Sequence, residues 1–247
     1  MAVRVGTAGW SIPRDAAVDF PAVGTSLERY AQRFAAAEIN SSFHRPHRPS
    51  TWERWRDSVP ADFRFSVKLP KTITHQRKLA ECGDLLAEFL PQAEALGDKL
   101  AVLLVQLPPK LAFDAAVAGG FLAELARRTP ARLACEPRHS SWFEPEADTL
   151  LATLKVARVA ADPAIVAAAA CPGGWAGLRY WRLHGSPLIY HSSYRDRIDG
   201  LAATIAQQSA DAERWCIFDN TASSAATADA LALTRALGDE PAAGPLR

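Results

Sequence analysis

Residues 132–142 read RLACEPRHSSW, an apolar run that stops in a group of polar and aromatic residues. The run that ends at Cys135 has the length and composition of a buried strand. Glu136 and Arg138 point to the same side of an extended chain, so they form either a structural ion pair or part of a functional site. Clustered titratable groups are typical of functional sites. We therefore predict a site at the end of this strand.

Seven other short apolar or β-branched runs have the same character and alternate with segments of helical spacing. The eight strands are predicted to start near Val3, Ala37, Phe63, Leu100, Ala131, Val156, Leu178 and Arg214. One of the helices is expected to follow Asp114, which is a favourable residue at a helix N-terminus. Strands and helices that alternate in this number predict an α/β protein with a TIM (β/α)8 barrel.

The barrel is predicted to be a single domain over residues 1–237, followed by a flexible C-terminal tail over residues 238–247. Segment 163–174 begins with Pro163 and ends in Pro172, Gly173 and Gly174. Only a short alanine-rich helix fits between these breakers. The sixth crossover is therefore expected to be abbreviated.

The composition is that of a soluble globular protein, with 49% hydrophobic and 22% charged residues among 247. No apolar run approaches the roughly 20 residues of a membrane span, and the first residues enter a strand pattern without a signal peptide. We expect a cytoplasmic location and no membrane partner. Cys135 and Cys216 lie in predicted strands, and the absence of a C-x-x-C pattern favours reduced core thiols.

The charge of the chain is unevenly distributed. The net charge is only +1, which argues against a protein whose whole surface binds nucleic acid. Residues 44–78, however, hold nine Lys or Arg against three Asp or Glu. This segment includes two predicted strand-to-helix loops, so it is either a solvated helix face or part of a site for an anionic ligand.

Polar residues gather at the predicted C-terminal ends of the strands, which is the functional face of a parallel barrel. In strand order they are Trp10, Glu38 and Asn40, Lys68, Gln106, Glu136 and Arg138, Asp162, Arg182 and His184, and Asp219 and Asn220. The six histidines also lie at strand ends or in the segments that follow them: His44, His47, His75, His139, His184 and His191. This shared placement favours a site over isolated structural roles.

These residues occur in motifs that resemble those of the YecE-like family, known as domain of unknown function 72. The motifs are GTAGWS at 6–11, EINSSF at 38–43, FRFSVK at 63–68, ITH at 73–75, QLPP at 106–109, EPRHSSW at 136–142, RLHG at 182–185 and FDNTA at 218–222. The resemblance implies a TIM barrel but no settled activity. The chain departs from the family pattern at residues 12–15 and at Ser223 and Ser224, which affects substrate detail.

We predict that Glu136, His184, Asp219 and Glu38 are catalytic, as acids, bases or their partners. The predicted substrate-binding residues are Trp10, Asn40, Lys68, His75, Gln106, Arg138, His139, Trp142, Arg182, Tyr194 and Asn220. No metal ligand is predicted: acidic residues and His184 could hold a divalent ion, but no H-x-H or H-E-x-x-H pattern supports one. A Ser140–His184–Asp219 relay lacks the G-x-S-x-G elbow. The sequence specifies no cofactor and no oligomeric state.

Three functions agree with these residues. The first is an enzyme, of hydrolase or lyase and isomerase type, that acts on a phosphorylated small molecule or a nucleic-acid phosphodiester. Lys68, Arg138 and Arg182 would then bind the anion, a purely structural ring of charges being the alternative. The second is a non-catalytic nucleic-acid-binding module that uses basic residues of the segment 44–78 and stacking on Trp10 and Trp142. The third is a metal-free lyase or isomerase for a sugar-like carboxylate.

Overall fold

The computed structural model describes residues 3–209 and 211–238. Its strands are β1 (Val3–Thr7), β2 (Ala36–Ile39), β3 (Arg64–Lys68), β4 (Leu100–Gln106), β5 (Arg132–Glu136), β6 (Val156–Arg158), β7 (Ala160–Asp162), β8 (Gly173–Gly174), β9 (Leu178–Leu183) and β10 (Glu213–Phe218). The α-helices are α1 (Ser26–Tyr30), α2 (Pro49–Asp57), α3 (Gly83–Glu94), α4 (Ala115–Arg128), α5 (Pro145–Thr153), α6 (Ile198–Ala206) and α7 (Ala225–Ala236). Apart from Gly238, the predicted tail lies outside the described residues.

The strands form two sheets in which almost every neighbour is parallel. One sheet has the order β2-β3-β4-β5-β6-β8, and only β8 runs antiparallel to its neighbour. The other has the order β1-β10-β9-β7 and is parallel throughout. The eight predicted strand starts agree with the structure to within one residue. The protein is therefore an α/β protein with parallel sheets.

The two sheets are linked at two places. Ala8 and Glu38 form an isolated parallel bridge between the ends of β1 and β2, and the Gly9 amide donates to the Glu38 carbonyl at 2.8 Å. On the other side, β6 and β7 are consecutive in the chain and separated by Val159 alone, whose amide donates to the Cys135 carbonyl at 2.8 Å. The predicted sixth strand is thus divided between the two sheets.

The crossovers carry the helices that the sequence pattern predicts. The Asp114 side chain accepts hydrogen bonds from the amides of Ala116 and Val117, both at 3.0 Å, and so caps α4. The crossover after β7 is short: its helical part is one 3₁₀ turn, Ala167–Ala170. No helix of residues 3–209 and 211–238 is long and apolar enough to cross a membrane.

Two apolar layers result from the two-residue repeat of the strands. On β4, for example, Val102 and Leu104 belong to a cluster with Tyr180 and Trp215 that consists almost entirely of strand residues, which we call the inner cluster. Leu103 and Val105 belong to the larger cluster that packs against the helices. A residue two positions beyond an inner apolar residue therefore points inward at the end of its strand. Cys135 and Cys216 are buried free thiols, as predicted.

Candidate functional site

The two-residue repeat brings charged side chains from five strands together. Glu38, Lys68, Glu136, Arg182 and Asp219 each lie two residues after a buried residue that faces the inside of the strands: Ala36, Ser66, Ala134, Tyr180 and Ile217. Together with Arg138 and His184 they form one group of neighbouring polar side chains at the C-terminal strand ends, which we call the charged cluster. Six of its seven members are buried, and only Arg138 is partly exposed.

Arg182 is at the centre of the charged cluster and is completely buried. It donates through Nε and Nη2 to the two oxygens of Glu38, at 3.0 and 2.7 Å. It also donates through Nη1 to Glu136 Oε2 at 2.5 Å and through Nη2 to Asp219 Oδ2 at 2.9 Å. Burial alone would lower the pKa of Arg182, but the three carboxylates raise it well above its ordinary value. Four of its five N–H groups are thus used by the protein itself.

Glu136 and Asp219 remain ionised because of their cationic neighbours. Burial would raise both pKa values, but Arg182 and the other neighbouring groups together outweigh burial and hold the pKa of Glu136 well below its usual range. The pKa of Asp219 is lowered for the same reason. Below them, the Tyr180 hydroxyl lies 3.1 Å from Glu38 Oε2 and 2.9 Å from Ser66 Oγ. The inner part of the cluster is a satisfied polar network.

His184 is oriented through both ring nitrogens. Nδ1 lies 3.0 Å from Asp219 Oδ2, while Nε2 lies 2.9 Å from Glu136 Oε1 and 3.0 Å from Arg138 Nη2. With its proton on Nδ1, a neutral imidazole would accept from Arg138; an imidazolium would donate to Glu136. The hydrogen-bond partner of Nε2 is therefore Glu136 when Nε2 carries a proton and Arg138 when it does not.

Lys68 has a different environment from Arg182. Its Nζ lies 4.1 Å from the centroid of the Phe43 ring, and it makes no hydrogen bond or ion pair with any residue that the structure describes. Burial is the main reason that the pKa of Lys68 falls to about 8, followed by the charge of Arg182. Phe43 is held in place by the 3₁₀ turn Ser41–Phe43, in which the Ser42 hydroxyl donates to the Lys68 carbonyl at 2.7 Å.

Arg138 and His75 complete the outer edge of the charged cluster. Arg138 donates through Nε to Glu136 Oε1 at 2.7 Å, and its side chain is 19% exposed. His75 packs edge-on against Phe43, with ring centroids 4.9 Å apart. Burial lowers the pKa of His75 first, and the charges of Lys68 and Arg138 lower it further. Lys68, Arg138 and His75 therefore share one electropositive region.

Other predicted substrate-binding residues have structural partners. Trp142 is 1% exposed and donates from its indole to the Leu111 carbonyl at 3.0 Å, so the prediction that it stacks on a ligand disagrees with its burial. His139 caps the following 3₁₀ turn by accepting from the Ser141 amide. The Gln106 amide donates to the Leu107 carbonyl at 2.9 Å. These three residues stabilise the loops around the site.

Tyr194 and Asn220 stabilise the loop after β9. Their contacts also disagree with their predicted role in ligand binding. Tyr194 is fully buried and donates to Asp162, whose carboxylate also pairs with Arg197 and is therefore outside the charged cluster. Asn220, also fully buried, donates to Asp229 Oδ2 at 2.7 Å. Both side chains therefore make hydrogen bonds to acidic residues of the protein itself.

Trp10 and Asn40 line a cavity of about 340 Å³ at the ends of β1 and β2. None of the residues of the charged cluster contributes to this cavity. Trp10 packs edge-on against Trp55 at 5.2 Å, and Asn40 Oδ1 is buried without a hydrogen-bond partner among the described residues. The structure thus places these two predicted residues in a cavity that the four predicted catalytic residues do not line.

The Ser140–His184–Asp219 relay, which the sequence did not favour, also disagrees with the geometry, because the contacts of His184 Nε2 are Glu136 and Arg138. Within the described part of the chain, no group of three or more His, Cys, Asp or Glu is arranged to hold a metal ion. Sequence reasoning did not identify Tyr180 or Phe43 as members of the site. The position of Tyr180, two residues before Arg182, was a signal that could have identified it.

The parallel sheets and the polar cluster at their C-terminal strand ends define an α/β protein with its candidate site on the face where strands end. The chain belongs to the family described as "Protein of unknown function DUF72", which it matches over residues 4–246. It is 36% identical over 106 residues to the UPF0759 protein YecE of Escherichia coli strain K12, a segment that covers 43% of this chain and 38% of that protein. The match thus spans less than half of the curated relative.

Two solved structures of DUF72 family proteins have the same fold. The protein from Enterococcus faecalis V583 superposes with a TM-score of 0.79 at 19% identity, covering 96% of both chains. The protein from Thermotoga maritima MSB8 superposes with a TM-score of 0.78 at 22% identity, covering 96% of this chain and 100% of that one. At these sequence identities the similarity shows a shared fold and nothing further.

Proposed function

We propose that this protein is an enzyme that acts on a phosphate-containing substrate at the C-terminal strand ends, with Lys68 and Arg138 binding the anion. The observation that carries the proposal is the ammonium group of Lys68. It is 8% exposed and has no carboxylate within ion-pair distance among the described residues. A buried cation is stabilised by an anion, and the substrate would supply it.

The different partners of Arg182 and Arg138 support this assignment. Arg182 was predicted to bind the anion. It forms ion pairs with Glu38, Glu136 and Asp219 and holds these carboxylates in place instead. Arg138 keeps Nη1 without a hydrogen bond to the described residues and remains partly exposed. Two cations with His75 beside them suit a phosphate dianion, and a guanidinium can bind it through two N–H groups.

His184 is the proposed proton carrier. Glu136, whose pKa is well below its usual range, stays ionised near neutral pH, so its Oε1 can accept a hydrogen bond from His184 Nε2 but supplies no proton. Asp219 orients the ring through Nδ1. Glu38 acts through Arg182 as a positioning residue. The substrate would reach His184 from the side of Arg138.

A metal-free lyase or isomerase for a sugar-like carboxylate is the second candidate. It is favoured by the pKa of Lys68, which at about 8 leaves a useful fraction of neutral amine near physiological pH. A neutral amine can remove a proton next to a carboxylate, and Arg138 would bind the carboxylate itself. The nucleic-acid-binding function has less support, because Trp142 is buried.

We also infer that the eight strand segments, with β6 and β7 counted as one, close into the (β/α)8 barrel predicted from the sequence. The bridge between Ala8 and Glu38 and the continuous chain through Val159 support this closure. In such barrels the carboxyl ends of the strands carry the active site. The position of the charged cluster agrees with that rule.

A ligand panel monitored by thermal shift and ³¹P NMR tests the proposed function. The panel contains inorganic phosphate, sugar phosphates, short single-stranded oligonucleotides and sugar carboxylates. We expect phosphate compounds to raise the melting temperature of the wild type and at least one to be converted. Arg138→Lys should weaken binding at least tenfold, and His184→Gln should abolish conversion with binding retained. Arg195→Lys, at an exposed position after the β9 loop, is the matched control.

Stabilisation by carboxylates alone, with conversion, would support the lyase or isomerase. Binding of oligonucleotides alone, without turnover and with steep loss at higher salt, would overturn the enzyme proposal. Absence of binding by every phosphate compound would also overturn it.

A further inference from the structure

Tyr190, in the loop after β9, lies beside the proposed proton carrier and is open to solvent. Its ring is edge-on to the His184 ring, with the two centroids 5.9 Å apart. The residue is 44% exposed, and its hydroxyl makes no hydrogen bond to any residue that the structure describes. The other tyrosines of the chain are fully buried: Tyr30, Tyr180 and Tyr194. Tyr190 is therefore the tyrosine whose ring a ligand can touch.

The hydrogen-bond and ring contacts of His184 with the described residues include two accessible neighbours. Glu136 and Asp219 hold the ring nitrogens and are buried. Arg138, which lies 3.0 Å from Nε2, and Tyr190 both keep exposed surface. His184 itself is buried, so a substrate reaches it past these two side chains. A substrate with its phosphate on Arg138 and its reacting atom at His184 brings the adjoining part of the molecule towards Tyr190.

The backbone holds Tyr190 in this position. Its amide donates to the His184 carbonyl, and its carbonyl accepts from the Ala222 amide at 3.1 Å, so the residue is tied to the segments that follow β9 and β10. Its φ is +68°, in the left-handed region that bulky residues rarely adopt. Such conformations cluster at functional sites. The backbone of Tyr190 is fixed before a ligand binds, which lowers the entropic cost of a contact with its ring.

We propose that Tyr190 stacks on an aromatic ring of the substrate, and that the substrate is a phosphate ester whose alcohol part carries this ring. The inference rests on the proposed function, because Lys68 and Arg138 would bind the phosphate. A tyrosine ring offers a flat apolar face, and a pair of aromatic rings contributes more to binding than the burial of its area alone. Mononucleotides and aryl phosphates share the required chemistry.

Phenyl phosphate and adenosine 5′-monophosphate are the aromatic probes, and methyl phosphate and cyclohexyl phosphate are the matched compounds without an aromatic ring. Calorimetric titration measures their affinities for the wild type, Tyr190→Ala and Tyr190→Phe. We expect at least one aromatic probe to bind the wild type about tenfold more tightly than methyl phosphate, the effect of one stacking contact. Tyr190→Ala should lose this advantage and bind methyl phosphate unchanged, whereas Tyr190→Phe should keep it.

NMR spectra of tyrosine-labelled wild-type protein test the contact without relying on the stability of a variant. The Tyr190 ring signal is identified from its absence in Tyr190→Phe. The aromatic probe that binds should shift this signal upfield in a saturable manner, because a stacked ring shields the protons above its face, and methyl phosphate should not. Leu188→Ala, at another exposed position of the same loop, is the matched control and should bind every compound like the wild type.

The outcomes separate this inference from the proposed function. Equal affinities for phenyl and cyclohexyl phosphate with no preference for the nucleotide, or unchanged binding of both aromatic probes in Tyr190→Ala, would overturn the inference and leave the anion site in place. Arg138→Lys should weaken the binding of aromatic probes and methyl phosphate by the same factor. Absence of binding by every phosphate compound would overturn the proposed function and this inference together.

Discussion

Arg182 and Arg138 both contact Glu136, but they differ in what their loss leaves behind. Without Arg182, three buried carboxylates lose their shared partner. Without Arg138, Glu136 keeps Arg182, and the lost pair is partly exposed. We predict that Arg182→Lys lowers the free energy of unfolding by about 3 kcal/mol and Arg138→Lys by about 1 kcal/mol. Urea denaturation at pH 7 measures the free energy of unfolding of both variants. Equal losses would show that Arg138, like Arg182, is mainly a structural partner of Glu136.

Lys68 lowers the stability of the folded protein while it is charged. Its pKa is about 8 in the folded state and ordinarily 10.5, so between these values the unfolded chain binds more protons. Stability therefore rises as the pH increases from about 8 to 10.5, and the full penalty of roughly 3 kcal/mol applies below 8. Lys68→Met should be more stable than wild type by up to this amount at pH 7.

The advantage of Lys68→Met should shrink as the pH is raised towards 10.5. Denaturation curves of the two proteins at pH 7, 9 and 10 measure this difference. Lys71→Met, at an exposed position three residues away, is the control and should change stability little. A constant difference at every pH would contradict the assignment of the penalty to the charge of Lys68.

At the scale of elements, the contact between β1 and β2 depends on two glycines with different requirements. A Cβ at Gly6 would lie 2.2 Å from the Ala36 carbonyl oxygen, so a side chain there forces β1 away from β2. Gly9 has φ +81°, and no atom lies within 4 Å of an added Cβ, so only backbone strain opposes substitution.

We predict that Gly6→Ala costs about 3 kcal/mol by overpacking and Gly9→Ala about 1 kcal/mol by strain. Gly9→Val should cost more than Gly9→Ala, since a β-branched residue is strained further at positive φ. Thermal and urea denaturation of the three variants test this order. A larger loss for Gly9→Ala than for Gly6→Ala would show that strain, not packing, dominates at this edge.

At the scale of the whole molecule, the charged cluster makes stability sensitive to acid. The pKa values of Glu136 and Asp219 are lower in the folded state than their ordinary values of 4.5 and 3.8. The stabilisation is therefore complete above these ordinary values and is lost as the pH falls below them. Unfolding free energies measured between pH 6 and 3 should decrease steeply towards the acid end.

Glu136→Gln should show a shallower decrease, by up to about 1.4 kcal/mol per pH unit, because one proton fewer is taken up on unfolding. Glu144→Gln, at an exposed position after the β5 strand, should keep the wild-type slope. An unchanged slope in Glu136→Gln would mean that other carboxylates control the acid transition.

The sequence by itself determined where eight strand segments start and which side chains gather at their ends. Strand positions and the convergence of Glu38, Glu136 and Asp219 follow from apolar runs and a two-residue repeat, which are local properties of the chain. The family motifs are also readable from the chain alone.

Only the tertiary structure decided which of these groups bind one another. Arg182 and Glu38 are 144 residues apart, and their pairing depends on the register of several strands and on side-chain geometry. The same applies to Trp142, which a local pattern placed at a strand end and the fold buried against Leu111. Hydrogen-bond partners across such separations are fixed by packing, and no local periodicity encodes them.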